Sequence, residues 1–499
     1  MKWKMLIIWL LLFVVGVLAG RFLFKSKPVS TIRTPVKLYE DSGGDTTDLK
    51  VVDMAQVGFQ GAIIEVRDGD KIQDAVKKAN PGDLIRVYPG SYSETVYIDK
   101  DDISLQGIII GGEWPTLNGK KELNDGFLYS GNGMIIENFK IINYKGNGIM
   151  GQAGNNFVIR NNWVVDAGVY GIFPEFGKNG LVEHNVLSGI EDAAIYVGMC
   201  DNIDVLHNET YESVAGIEIE NSRHCLVENN YTHNNTGGLL VFITPGLPIK
   251  TCFDIIVRNN FVVDNNHENF GAPGSIVSGI PPGTGILVMA ADDVTLEGNI
   301  ITGNNNAGIT ITDLTMVTNV ATDPESEPNP DRLVILDNFM SNNGNEPVGE
   351  LKVLMAAQMQ SKGPDILHIG GGTGGCILDK SKYRTFGLGD YGQCQVRTSA
   401  AVKSYMLDKP VPPRDISAEE KGKLTYYGVC SGCHAYDIRM IGPPTRDLQA
   451  MYSNNPQGIV DYITDPVHRR ESYPEMPPQN YLSEETRMAV AKYMLTVEK

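Results

Sequence analysis

Short runs of alternating apolar and polar residues recur along the middle of the chain, each opening on glycine or alanine. They are GIM at Gly148, GIF at Gly171, AIYV at Ala194, GIEIE at Gly216, GLLVF at Gly238, GILVM at Gly285 and GITI at Gly308. Period-two alternation bounded by turn residues predicts short β-strands. Before each run stands an asparagine, in the column Asn138, Asn162, Asn185, Asn208, Asn230, Asn260, Asn299 and Asn338, whose first spacings are 24, 23, 23 and 22. A unit this short cannot bury its own apolar face, so the repeat predicts a solenoid whose stacked rungs share one core. Stacked asparagines at an internal turn can bond to one another and to the backbone, which gives the column a physical reason. Leucine-rich repeats have a similar period, but their leucine framework is missing.

Upstream, DKIQDAVKKANPGDLIRVYPG places Ile72, Ala75, Val76 and Ala79 on one helical stripe, followed by Pro81-Gly82 and strands. An amphipathic helix here suits the open end of a solenoid, which must be capped. This stretch resembles the N-terminal region of right-handed parallel β-helix proteins of the pectin-lyase-like class. AGIEIENS, NTGGLLVFITPGLP and GTGILVMA resemble an exported bacterial β-helix-repeat family, and the resemblance spans roughly residues 62–394. The expected fold class is therefore mainly β, a parallel β-helix domain over 62–394. Such a fold does not determine function.

Departures from the period locate insertions. The step from Gly column to next asparagine is 14 residues, except 22 after Gly238 and 30 after Gly308; Asn260 to Gly285 is 25 instead of 8–10. Loops at 244–251, 266–282 and 313–331 are expected to wall the outward face of the Gly-column sheet. Counting outward positions gives one column of Met150, Phe173, Tyr196, Glu218, Leu240 and Leu287, and a second of Glu175, Glu220, Phe242 and Met289. A face this apolar is expected to be covered by loops, another domain or a ligand. Its acids are the candidates for sugar chemistry. Glu218 and Glu220 share a strand face about 7 Å apart, and Glu175 lies about 10 Å from Glu220, two rungs away. Such separations suit glycosidase carboxylate pairs; solvated surface glutamates are the plain alternative. His267, on the inserted loop NNHENFGAPG, is a further candidate.

Past QVRTSAAVKSYMLDKPVPPRDIS, rich in proline and small residues and read as a linker over 395–415, the pattern turns helical. Here stands Cys430-Ser-Gly-Cys433-His434. Cys-x-x-Cys-His is the haem attachment motif, in which both thiols add across the vinyl groups and the imidazole reaches the iron. A zinc ribbon would need a second Cys or His pair, and none with suitable spacing follows. CSGCH, IGPP and EMPP, in that order, resemble small class I cytochromes c over roughly 416–499. That resemblance implies a small all-α domain with one covalent haem c. It makes His434 the proximal iron ligand and Met476 the distal one, with Gly442-Pro443 lining the proximal side. Met440 is too near His434 to cross the ring, and His468 is the rival distal ligand.

The chain has 499 residues, room for two or three domains, and a formal net charge of −18, which argues against nucleic acid. Lys2 and Lys4 precede an apolar run from Met5 to Gly20 closed by Arg21. Residues 1–25 thus read as a signal anchor in the bacterial inner membrane, or alternatively a cleaved signal, with 26–61 as linker. Either exports the body to the periplasmic side. In an oxidising compartment Cys376 and Cys394 can form a disulfide, while Cys200, Cys225 and Cys252 read as small core residues. The leading expectation is a membrane-anchored monohaem electron carrier whose β-helix docks a partner, its redox partner a respiratory or other periplasmic protein. The alternatives are a carbohydrate-active or carbohydrate-binding β-helix protein with an accessory cytochrome, or an assembly factor resembling the periplasmic β-helix protein of nitrous-oxide reductase copper-site maturation.

Overall fold

Val205, Val227, Val257, Leu296 and Ile335 lie directly above one another in parallel register, all shut away from water. Full burial of such a side chain is worth about 1.5–3 kcal/mol, and the stack repeats it rung after rung. The computed structural model describes residues 61–498 apart from 317–322, 413–416, 432, 433, 435, 438, 440, 441, 470–472, 474, 475 and 477. The expected segment 1–25 and nearly all of its linker lie outside the described residues. Among those described, no helix is long and apolar enough to cross a membrane.

Three parallel sheets of 13, 11 and 10 strands wind into a β-helix, each complete turn contributing one strand to each sheet and the end turns fewer. The first sheet runs from Ile63–Val66 through Arg223–Glu228 to Gly392–Gln393. The second runs from Gly90–Tyr92 to Phe339–Ser341. The third holds the Gly-column strands, among them Ile172–Glu175, Ala193–Gly198, Ala215–Glu220, Gly237–Phe242 and Thr284–Met289.

The asparagine ladder is continuous from Asn162 to Asn338. Each buried amide donates to the oxygen of the next asparagine and to a carbonyl of the rung behind; for Asn230 these bonds are 3.0 Å to Asn260 Oδ1 and 2.9 Å to Val205 O. Asn138 is not part of it. Lys140 pairs with Trp163, so Phe139 occupies the ladder position below Asn162, and Asn138 is a left-handed turn residue one place earlier. The odd first spacing of 24 was that offset. A second ladder, Asn235, Asn265, Asn304 and Asn343, runs five residues behind the first. Glycine in the third-sheet column is explained by close rung approach: a Cβ on Gly285 would sit 2.3 Å from the Gly308 carbonyl oxygen.

The helix Ile72–Lys78 caps the N-terminal end. The Glu94 carboxylate accepts from the backbone N–H groups of Ile72 and Gln73 at its start, and the Lys100 ammonium donates to three carbonyls at its end. A negative group at the helix start and a positive one at its end both suit the helix dipole. At the far end, a Cys376–Cys394 disulfide joins the last strands.

The stretch read as a linker is bound along most of its length. Residues 398–411 run back along the outer face of the first sheet, against the direction of the coil. Ser399 meets Glu297 and Arg258, Ser404 and the Tyr405 N–H meet Asp204, and the Tyr405 hydroxyl donates to Asp254. Leu407 then bonds Asn179, and Val411 bonds Asn156. Proline and small residues mark an extended path, but here acceptors on successive rungs hold it. This strap returns the chain to the N-terminal rungs, where the helices Ala418–Thr425, Thr445–Met451, Pro456–Thr464 and Glu484–Met494 gather. Tyr481, Leu482 and Val429 of that helical module join the main core.

Candidate functional site: a carboxylate cluster on the third sheet

Strand register brings both outward columns together. Tyr196 pairs with Glu218, Glu218 with Leu240 and Leu240 with Leu287; Gly198 pairs with both Glu175 and Glu220, so those glutamates stand two rungs apart. Gly198 has no side chain, and the Tyr196 ring lies across the space, its hydroxyl donating to Glu220 Oε2. Tyr196 stacks on Tyr170 at 4.5 Å and 9°, with Phe173 tilted against both.

The apolar half of the face is covered by the chain itself. Leu240, Phe242 and Met289 share a buried cluster with Val277 and Ile280 from the inserted loop. Lys250 pairs with Asp323 at 2.5 Å, pinning a second insertion; the third is described only outside 317–322. Toward the N-terminal rungs, Tyr481 reaches Asp125. A cavity of about 640 Å³ lies there between the capping helix and residues 478–487, and none of the face's glutamates lines it.

The acids themselves are also buried, against both an open trough and a solvated surface. Glu175, Glu218 and Glu220 are 5%, 1% and 6% exposed. Burial pushes the Glu175 carboxyl up to about 8, with the Glu220 charge adding to it. Burial likewise raises Glu220 to about 8, with the Asp192 charge adding to it. Glu218 is raised further, by burial and then by repulsion from Asp192, itself raised by burial. Among the described residues, Glu175 Oε2, Glu218 Oε1, Asp192 Oδ1 and Gln152 Nε2 find no hydrogen-bond partner. The group can therefore hold and pass protons near neutral pH.

Sequence reasoning missed Asp192 and Tyr170. Both precede the Gly column, in the turn rather than the strand: Tyr170 directly before Gly171, Asp192 two residues before Ala194. Comparing those turn positions across rungs finds one acid and one aromatic, and that comparison is the available signal. His267 is not brought to the cluster. It is exposed, with Nδ1 at the Glu268 carbonyl and its ring edge-on to Phe270.

In the helical module His434 is buried, Nδ1 lies 2.8 Å from the Pro443 carbonyl and the ring rests on Gly442. Burial lowers its pKa. Cys430 and Met476 pack against one small apolar cluster of that module. Cys433 and Met440 lie outside the described residues. His468 is exposed and bonds the Tyr473 carbonyl.

A model of the right-handed β-helix region matches residues 45–210 and 177–323, more than half of the chain. No curated protein matches the sequence. Among solved structures, the A-module of the Azotobacter vinelandii mannuronan C-5 epimerase AlgE4 is 16% identical, covering 62% of this chain and 80% of that one with a TM-score of 0.44. An alginate lyase from Paenibacillus sp. str. FPU-7 is 14% identical over 57% of this chain and 99% of that one, TM-score 0.42. Pectate lyase Pel9A is 11% identical over 57% and 79%, TM-score 0.34. These resemblances are too loose to assign an activity.

The expectation of a cytochrome c, with haem binding and electron transfer as the chain's business, is corrected by these findings. The family model that matches falls on the β-helix, over residues 45–210 and 177–323. Among the described residues no group of three or more His, Cys, Asp or Glu is placed to hold a metal ion. The stacked rungs, the three parallel sheets and the matched region agree, and the chain belongs to the right-handed β-helix family.

Proposed function

We propose that this chain acts on carbohydrate through the third-sheet cluster, with Glu218 as proton donor and Asp192 as base. The observation that carries the reading is Glu218, 1% exposed, one oxygen unpartnered, and set against the charge of Asp192 at the half-buried rim. Two carboxyls that repel one another in a dry site share a proton, leaving one acid and one base. In a glycosidic cleavage the Glu218 proton goes to the leaving oxygen as its carbon–oxygen bond breaks. Asp192 takes a proton from the water that adds to the sugar carbon. Glu175 and Glu220 keep the surroundings acidic, and the Tyr170 ring offers a face for a sugar to stack on. With the apolar face covered, entry is at the rim formed by Val169, Tyr170, Glu191 and Asp192, all half-buried or exposed.

The setting proposed for this activity is the periplasmic side of the bacterial inner membrane, supported by the apolar run from Met5 to Gly20 and by the disulfide. The function is tested on the full chain by following reducing-end release from a panel of oligosaccharides. Glu218→Gln keeps size and hydrogen bonding but removes the transferable proton, and is expected to lower turnover by about 10²-fold or more. Turnover unchanged in that variant, or no saccharide turned over or bound, sinks the proposal.

A further inference from the structure

We infer that the ligand of the third-sheet cluster is an uncharged saccharide, not a polyuronate; this rests on the carbohydrate reading above and narrows it. The described strands of that sheet, from Val96–Ile98 to Thr385–Phe386, contain no lysine or arginine. Among the described residues, no cation contributes to the state of Glu175, Asp192, Glu218 or Glu220. The polar groups that stay unpaired are of the kind a hydroxyl satisfies. Gln152, 2% exposed, pairs in register with Glu175, and among the described residues its Nε2 has no acceptor while Glu175 Oε2 has no donor. A sugar hydroxyl both accepts from an amide and donates to a carboxylate. The stacked Tyr170–Tyr196 pair adds an apolar face for the C–H side of a sugar ring.

A uronate would bring one further negative charge per residue into this setting, against carboxyls that already resist ionising. Its eliminative cleavage is also poorly served. There a base removes the proton beside the uronate carboxylate, the electron pair forms a carbon–carbon double bond and the glycosidic oxygen departs with a proton. Charge builds on the uronate carboxylate in that step, and only a cation or a strong donor set can hold it. Hydrolysis of a neutral glycoside builds positive character on the sugar instead, which surrounding carboxylates favour.

The test measures binding and turnover by the full chain of matched neutral and uronate trisaccharides: glucose-, xylose- and fructose-based against galacturonate and mannuronate. The neutral set is expected to bind at least about tenfold tighter, a factor equal to one pH unit of proton affinity. Glu218→Gln should remove turnover, and Gln152→Leu should weaken neutral binding. Uronate binding equal to or tighter than neutral, or appearance of an unsaturated uronate product, overturns this inference while leaving the carbohydrate reading standing. Absence of any saccharide binding overturns both. Uronate binding that rises in Glu175→Gln when measured above pH 8, where Glu175 carries its charge, supports charge repulsion as the cause of the preference.

Discussion

Lowering the pH from 8 to 5 should stabilise this protein, and Glu175 sets the scale. Its carboxyl stands at about 8 in the folded chain against an ordinary 4.5. A folded value above the unfolded one means the native state holds its proton more tightly. Stability from this group is then full below the unfolded value and is lost as pH rises through the interval up to about 8. At about 1.4 kcal/mol per pH unit, the interval amounts to about 5 kcal/mol as an upper bound, since water entry and relaxation reduce it. Glu220 behaves in the same direction. The assay is urea unfolding followed by circular dichroism at half-unit steps from pH 5 to pH 8, on the wild type and on Glu175→Gln. The wild-type midpoint should fall across the range, and the variant should fall less and be the more stable of the two at pH 8. A wild-type midpoint that is flat or rises, or a variant with an unchanged slope, would refute the claim that these acids are buried in the native state.

Asn230→Ala orphans the buried Asn208 N–H and Val205 carbonyl, at about 1–3 kcal/mol each. We expect a loss of about 2–6 kcal/mol in the same unfolding assay, against well under 2 kcal/mol for Asn138→Ala, which lies off the ladder. Limited proteolysis tests the strap: wild type should resist cleavage over 398–411, and Asp204→Ala with Glu297→Ala should open it while the coil stays folded.

The coil was legible because its physics repeats. One misplaced asparagine hardly matters when Asn162, Asn185, Asn208 and Asn230 keep a spacing of 22–23, and the outward columns followed from alternation and register alone. What stayed illegible depends on tertiary cover. Nothing in the residues around Glu218 says that Val277 and Ile280 bury its neighbours, so the acids read as a trough or as surface. Tyr170 and Asp192 sit in turns, where period-two counting stops. The strap reads as a linker because its partners, Asp204, Glu297 and Asn156, are far off in sequence. The Cys430–His434 motif is legible as a string, but a thioether is a covalent fact. A haem stain on the denatured chain, with and without Cys430→Ala, reads it directly.

A solenoid is usually free to lengthen, since a duplicated rung finds the same neighbours above and below. This one is not. Its strap is pegged at Glu297 near one end and at Asn156 near the other, with intermediate holds on the rungs between. One added rung between those pegs would separate them by about 4.8 Å, more than one residue of extended chain. The strap would have to gain residues in step, or release the helices it carries. The number of turns in this coil is therefore inherited as a fixed gauge, and change in length is expected at the ends or in the loops, where the insertions in fact are found.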